Sequence, residues 1–161
     1  MLSHPEYLHV LLNPLPVYGL LMGVAALVLA FFLRSRPARI VALTMILISS
    51  ASAWPVHYYG EKAYDAVMPD ADAKGAEWMD QHQARAAKTI ATFYVAAALA
   101  LAAILVPRWW PRSDFALSLG TGALALIALG VGVWISYAGG RIRHQEFRAE
   151  SPPAPHEEKK E

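Results

Sequence analysis

The 161-residue chain contains no cysteine. That removes disulfides, thiolate-bound zinc, iron–sulfur clusters and covalent c-type haem attachment, so any metal or cofactor must be held by His, Asp, Glu, Met or Tyr. Charge is also scarce: 17% of the residues are Asp, Glu, Lys or Arg, against about a quarter in an ordinary soluble domain. The formal net charge is only +1, and no basic stripe interleaved with aromatics is present, which argues against a nucleic-acid partner. Lys and Arg are missing from Met1 to Pro16. The basic n-region of a secretory signal is therefore absent, and the first apolar run is expected to be a retained helix.

Apolar sequence is in excess, at 56% of the chain. Four runs, at about 15–33, 38–59, 86–106 and 115–138, approach the roughly 20 apolar residues that a bilayer core demands. The expected fold is all-α: an integral membrane four-helix bundle over residues 1–149, followed by a disordered tail at 150–161, which is rich in Pro and charge. Segment 2–13 is too short to span before Pro14 and Pro16, so it reads as a short N-terminal interfacial segment. Pro55 should kink the second span near Ser49, Ser50 and Ser52, with a serine or water satisfying a freed carbonyl. Gly19 and Gly23 form a small-xxx-small pair, and Gly120, Gly122, Gly130 and Gly132 slim the fourth span for close packing. Gly139-Gly140 reads as a helix stop or hinge, and no internal repeat is apparent.

Short-loop charge sets the orientation. Arg34, Arg36 and Arg39 fill the first loop, and Arg108 and Arg112 the third, whereas the second mixes four basic with six acidic residues. The first and third loops belong inside, with both termini and the acidic loop outside. Arg141, Arg143 and Arg148 run against this rule. The topology puts His4, His9, His57, His82 and His144 on one membrane face, while His156 falls in the tail.

Imidazoles gathered at one level of a helix bundle are suited to haem iron or a transition metal. His57 and His82 form the expected haem-ligating pair. A metal site would draw on His4, His9, His57, His82, Glu61 and His144. His57 and Glu61 share a helical face if the turn after Pro55 is regular, whereas His4 and His9, five apart, do not share one. Asp80 is an N-cap candidate for the third helix. The plainer reading is interfacial imidazoles that are merely solvated or hydrogen-bonded. No serine-nucleophile, zinc-protease or phosphate-loop motif is present, so no catalytic residue is assigned.

The motif His4-Pro5-Glu6-Tyr7-Leu8-His9, the element Gly60-Glu61-Lys62-Ala63, His82 at the third helix and Gly139-Gly140 at the end of the fourth resemble a bacterial membrane-protein family, domain of unknown function 2231. The resemblance covers about residues 3–146. It departs after His9, where Val10-Leu11-Leu12-Asn13-Pro14 stands in place of the family's Phe-Pro. It implies a multi-pass protein of the bacterial inner (plasma) membrane. It also implies a redox association, since some members are joined to cytochrome-type domains. The expected function is a small membrane protein that binds haem b or a metal ion on its outer face, as a redox or anchor subunit beside other membrane or redox subunits. The alternative is a non-catalytic structural or assembly subunit without a cofactor.

Overall fold

The computed structural model describes residues 4–148, which contain no strand; the expected tail and His156 lie outside them. Six α-helices follow one another: α1 Pro5–Leu12, α2 Pro14–Phe32, α3 Arg36–Ala51, α4 Ala53–Val67, α5 Ala73–Leu105 and α6 Asp114–Arg143. Because α1 runs into α2 and α3 into α4, these residues form four long helical stretches, Pro5–Phe32, Arg36–Asp70, Ala73–Arg108 and Pro111–Arg143. Each is long and apolar enough to cross a membrane. Only 28%, 33%, 22% and 28% of their most apolar windows are buried. The outward surface of every stretch is therefore apolar, as contact with lipid requires and contact with water does not favour.

Prolines account for both internal breaks. Pro14 opens α2 at a position where its missing N–H is not needed, and Asn13 between the two helices keeps right-handed helical angles. The N-terminal segment is thus a helical extension of the first span, packed chiefly against α4. Pro55 interrupts the second span, which breaks at Ser52. There the Ser52 hydroxyl donates to the Ser49 carbonyl at 2.7 Å, which is not the Ala51 carbonyl that Pro55 frees.

Two helix ends differ from the sequence expectation. The α5 helix starts well upstream of Asp80, because the Asp72 carboxylate accepts the Gly75 N–H at 2.7 Å and caps a polar but regular first turn. Asp80 lies inside the helix and accepts a hydrogen bond from the Tyr64 hydroxyl. The α6 helix continues through Gly139-Gly140 to Arg143. Glycine is permissive rather than obligatory as a stop, and the helix absorbs the pair because Gly139 is needed for packing.

The core joins α2, α3, α5 and α6 around Leu20, Leu27, Leu43, Ile46 and Phe93, with Ala96, Ala100, Ala125 and Ala128 allowing close approach. Association within lipid rests on such packing rather than on expulsion of water. A Cβ at Gly23 would stand 2.8 Å from Ile46 Cγ1, and one at Gly132 3.0 Å from Val17 Cγ2. Gly130 faces open space. Of the expected slim face, then, only part is used inside this chain.

The turn from α2 into α3 places Arg34 in a left-handed conformation (φ 50°), with its N–H and that of Ser35 returning to the carbonyls of Phe31 and Ala30. Ser35 then caps α3 through the Ala38 N–H. Arg39 pairs with Asp114, and Arg36 approaches it at 3.8 Å. This brings the two short basic loops together at one end of the molecule. The opposite end gathers α1, the end of α4, the start of α5 and the end of α6.

Candidate cofactor-binding site

That opposite end encloses a cavity of about 590 Å³, lined from α1, α2, α4, α5 and α6. Its volume falls in the range of small-molecule and cofactor sites, and its wall is mostly apolar, with Val17, Ile90, Phe93 and Ile135 among the lining. Its polar lining includes His9, His57, His82, Glu61, Tyr64 and Arg143, with Glu6, Asn13, Gln83 and Ser136 also bordering it.

His9 and His82 are the central pair. Their ring centroids lie 6.1 Å apart and their planes are nearly perpendicular, at 85°. His9 Nδ1 is 2.8 Å from the Val56 carbonyl, and His82 Nδ1 is 3.0 Å from the Ile135 carbonyl. A carbonyl can only accept, so each neutral ring carries its proton on Nδ1 and leaves the Nε2 lone pair uncommitted to the backbone. Tying one nitrogen to a carbonyl is how proteins orient an imidazole whose other nitrogen is a ligand.

The same local device holds both rings. Gly60 lies four residues after Val56, and Gly139 four residues after Ile135. In each case the glycine removes the side chain from the helical turn on which the imidazole rests. A Cβ at Gly60 would lie 2.9 Å from His9 Cε1 and Nδ1, and one at Gly139 3.0 Å from His82 Nδ1. Distances this short leave no room for alanine without displacing a ring. The segments read Val56-His57-Tyr58-Tyr59-Gly60 and Ile135-Ser136-Tyr137-Ala138-Gly139. Their shared pattern (β-branched residue, any residue, Tyr, any residue, Gly) is a repeat that the sequence reading missed. It was legible, but only as five residues within unlike surroundings.

His57 lines the cavity, but the ring paired with His82 is that of His9. The helix is regular past Pro55, and His57 Nε2 comes within 3.5 Å of Glu61 Oε1, one turn on. His4 and His144 do not line the cavity, although their neighbours Glu6 and Arg143 do. Each is exposed beside its own carboxylate, His4 Nδ1 3.0 Å from Glu6 and His144 Nδ1 2.9 Å from Glu146. Among the described residues, no three or more His, Asp or Glu side chains gather as a metal-binding group. Tyr64 lies, as helical spacing from His57 and Glu61 predicts, at the cavity wall, but its bond to Asp80 and the presence of Arg143 in the lining were not foreseen.

No family model, no curated protein and no solved structure matches the chain.

Proposed function

We propose that the chain is a four-helix bundle of the bacterial inner membrane that binds haem b through His9 and His82, with the cavity end and both termini outside. It would act as a redox or anchor subunit of a larger membrane complex. The observation that carries this reading is the paired imidazoles across an apolar cavity. Two imidazoles that together hold one iron must stand close to one another with one nitrogen of each left free, and here both Nδ1 atoms are tied to backbone carbonyls. The separation of 6.1 Å fits that requirement. A bare metal ion fits less well, because it asks for three or four protein ligands and no such group is gathered among the described residues.

Bound haem supplies one-electron chemistry. The chain's own contribution is to orient both rings through the Val56 and Ile135 carbonyls and to exclude water with the apolar wall. It also offers Arg143 as the cationic side chain in the lining and His57 with Glu61 as a proton-holding pair at its edge. The basic loops at the opposite end favour the cytoplasmic side, which leaves the cavity outward.

The test is haem content after expression with haem supplied. One haem per chain is expected in the wild type, less than a tenth of that in His9→Ala or His82→Ala, and near wild-type content in His57→Ala. Undiminished haem in both ligand variants would overturn the assignment. A second reading, a structural or assembly subunit without a cofactor, draws on Gly130, which leaves a small-residue notch on the outside of α6. It requires that His9→Gln with His82→Gln leave partner assembly unchanged and that the wild type take up no haem.

A further inference from the structure

On another face of the α5–α6 pair, away from the residues that line the cavity, two arginines share one tryptophan. Arg85 is only 8% exposed and Trp78 3%. The Arg85 guanidinium lies 4.4 Å from the Trp134 ring centroid and 5.9 Å from that of Trp78, and its Nη1 donates to the Trp134 carbonyl at 2.9 Å. Arg141 lies 3.4 Å from the Tyr137 ring centroid and 5.2 Å from that of Trp78. Three buried donors here have no acceptor: Arg85 Nε, Arg141 Nε and Trp78 Nε1.

Buried charge is costly unless paired, and two cations in one cluster compound the cost. Among the described residues neither arginine forms an ion pair with a carboxylate. Five acids at this end are engaged elsewhere: Glu61 with His57, Asp70 with Arg143, Asp72 with Arg148, Asp80 with Tyr64 and Glu146 with His144. Aromatic faces, the Trp134 and Tyr137 carbonyls and the Tyr137 hydroxyl soften two positive charges but do not neutralise them. Among the described residues, therefore, no carboxylate neutralises the cluster. Its outer rim is Trp134 and Tyr137, each almost half exposed, and these are the residue types that sit at headgroup level. The apolar run of α5 begins just beyond Arg85, which puts the guanidinium at that same level.

We propose that the Arg85 and Arg141 guanidiniums, seated on the buried Trp78, bind the phosphate of an anionic phospholipid headgroup in the leaflet on the cavity side. The planar guanidinium suits a phosphate better than an ammonium does. The site is independent of haem.

The test is native mass spectrometry of the full chain released from nanodiscs of equimolar phosphatidylglycerol and phosphatidylcholine. One retained phosphatidylglycerol per chain is expected, enriched at least tenfold over phosphatidylcholine and lost in Arg85→Gln/Arg141→Gln. Equal retention of the two lipids, or retention unchanged in the variant, would overturn the proposal. Should the double variant fail to fold, the wild type alone decides. Its melting temperature must rise with phosphatidylglycerol content and stay flat with phosphatidylcholine, because a ligand that binds only the folded state stabilises it. A flat response to both lipids, or a rise produced equally by inorganic phosphate, would assign no lipid site and overturn the claim.

Discussion

His9 and His82 meet ring to ring, 6.1 Å between centroids, although one sits on a short N-terminal helix and the other deep in the long α5 helix. Each is fixed from behind by a helical carbonyl and by the glycine four residues beyond it. The recurrence of the same device on α4 and α6 makes chance interfacial placement a poor account of these two rings. His4 and His144, which have only local carboxylates, are what interfacial placement looks like.

The glycines offer a test that leaves the ligands untouched. Gly60→Val and Gly139→Val should each lower haem content at least tenfold while the chain remains helical, because a side chain there must displace an imidazole. Gly140→Val is the control, since nothing lies within 4 Å of its Cβ position. Haem content and circular dichroism on the same samples separate site damage from unfolding.

Along α6, Gly132 at the cavity wall and Gly130 outside it should respond oppositely to leucine. Gly132→Leu would press on Val17 and Phe93, at a cost of about 1–3 kcal/mol typical of overpacking. Gly130→Leu enters open space and should change monomer stability by no more than about 0.5 kcal/mol. Thermal unfolding in detergent checks both. Loss of a co-purifying subunit in Gly130→Leu alone would favour the assembly reading.

The polar start of α5 should melt on acidification. Hydrogen bonds from Arg148, and then from the Gly75 N–H, hold the Asp72 carboxyl below the ordinary carboxylate range. A folded-state pKa below the unfolded one gives stability that is present above the unfolded value and lost as pH falls through the folded one. Protection of the α5 N-terminus from hydrogen exchange should therefore be steady near neutrality and fall below about pH 4. Asp72→Asn should flatten that dependence. A pH response that survives the substitution would place its origin elsewhere.

His57 and Glu61 border the cavity and lie 3.5 Å from one another. Removing the imidazole should spare binding, so His57→Ala is expected to keep haem content within twofold of wild type. A tenfold loss of haem would instead make His57 a ligand.

Much of the fold was legible because apolar runs and prolines are local signals. The four spans, the break near Pro55 and the shared face of His57 and Glu61 follow from residues close in sequence. The long start of α5 was not legible, because one capping carboxylate, Asp72, outweighs the polarity of the turns that follow. Gly139-Gly140 misled for a related reason: glycine marks either a stop or a close approach, and only the facing ring decides which. The pairing of His9 with His82 was out of reach, since the tilt of α1 onto α4 depends on tertiary contact. Arg85 did carry a readable signal, as a lone arginine at the edge of an apolar run, where charge is seldom idle.

The most direct test is the absorption spectrum of the gently purified wild-type protein with haem supplied, recorded oxidised, reduced and reduced under carbon monoxide. Ligation by both His9 and His82 requires one haem per chain in a six-coordinate low-spin state whose reduced spectrum carbon monoxide leaves unchanged. A folded protein with no Soret band, or a five-coordinate haem that takes up carbon monoxide, would contradict it.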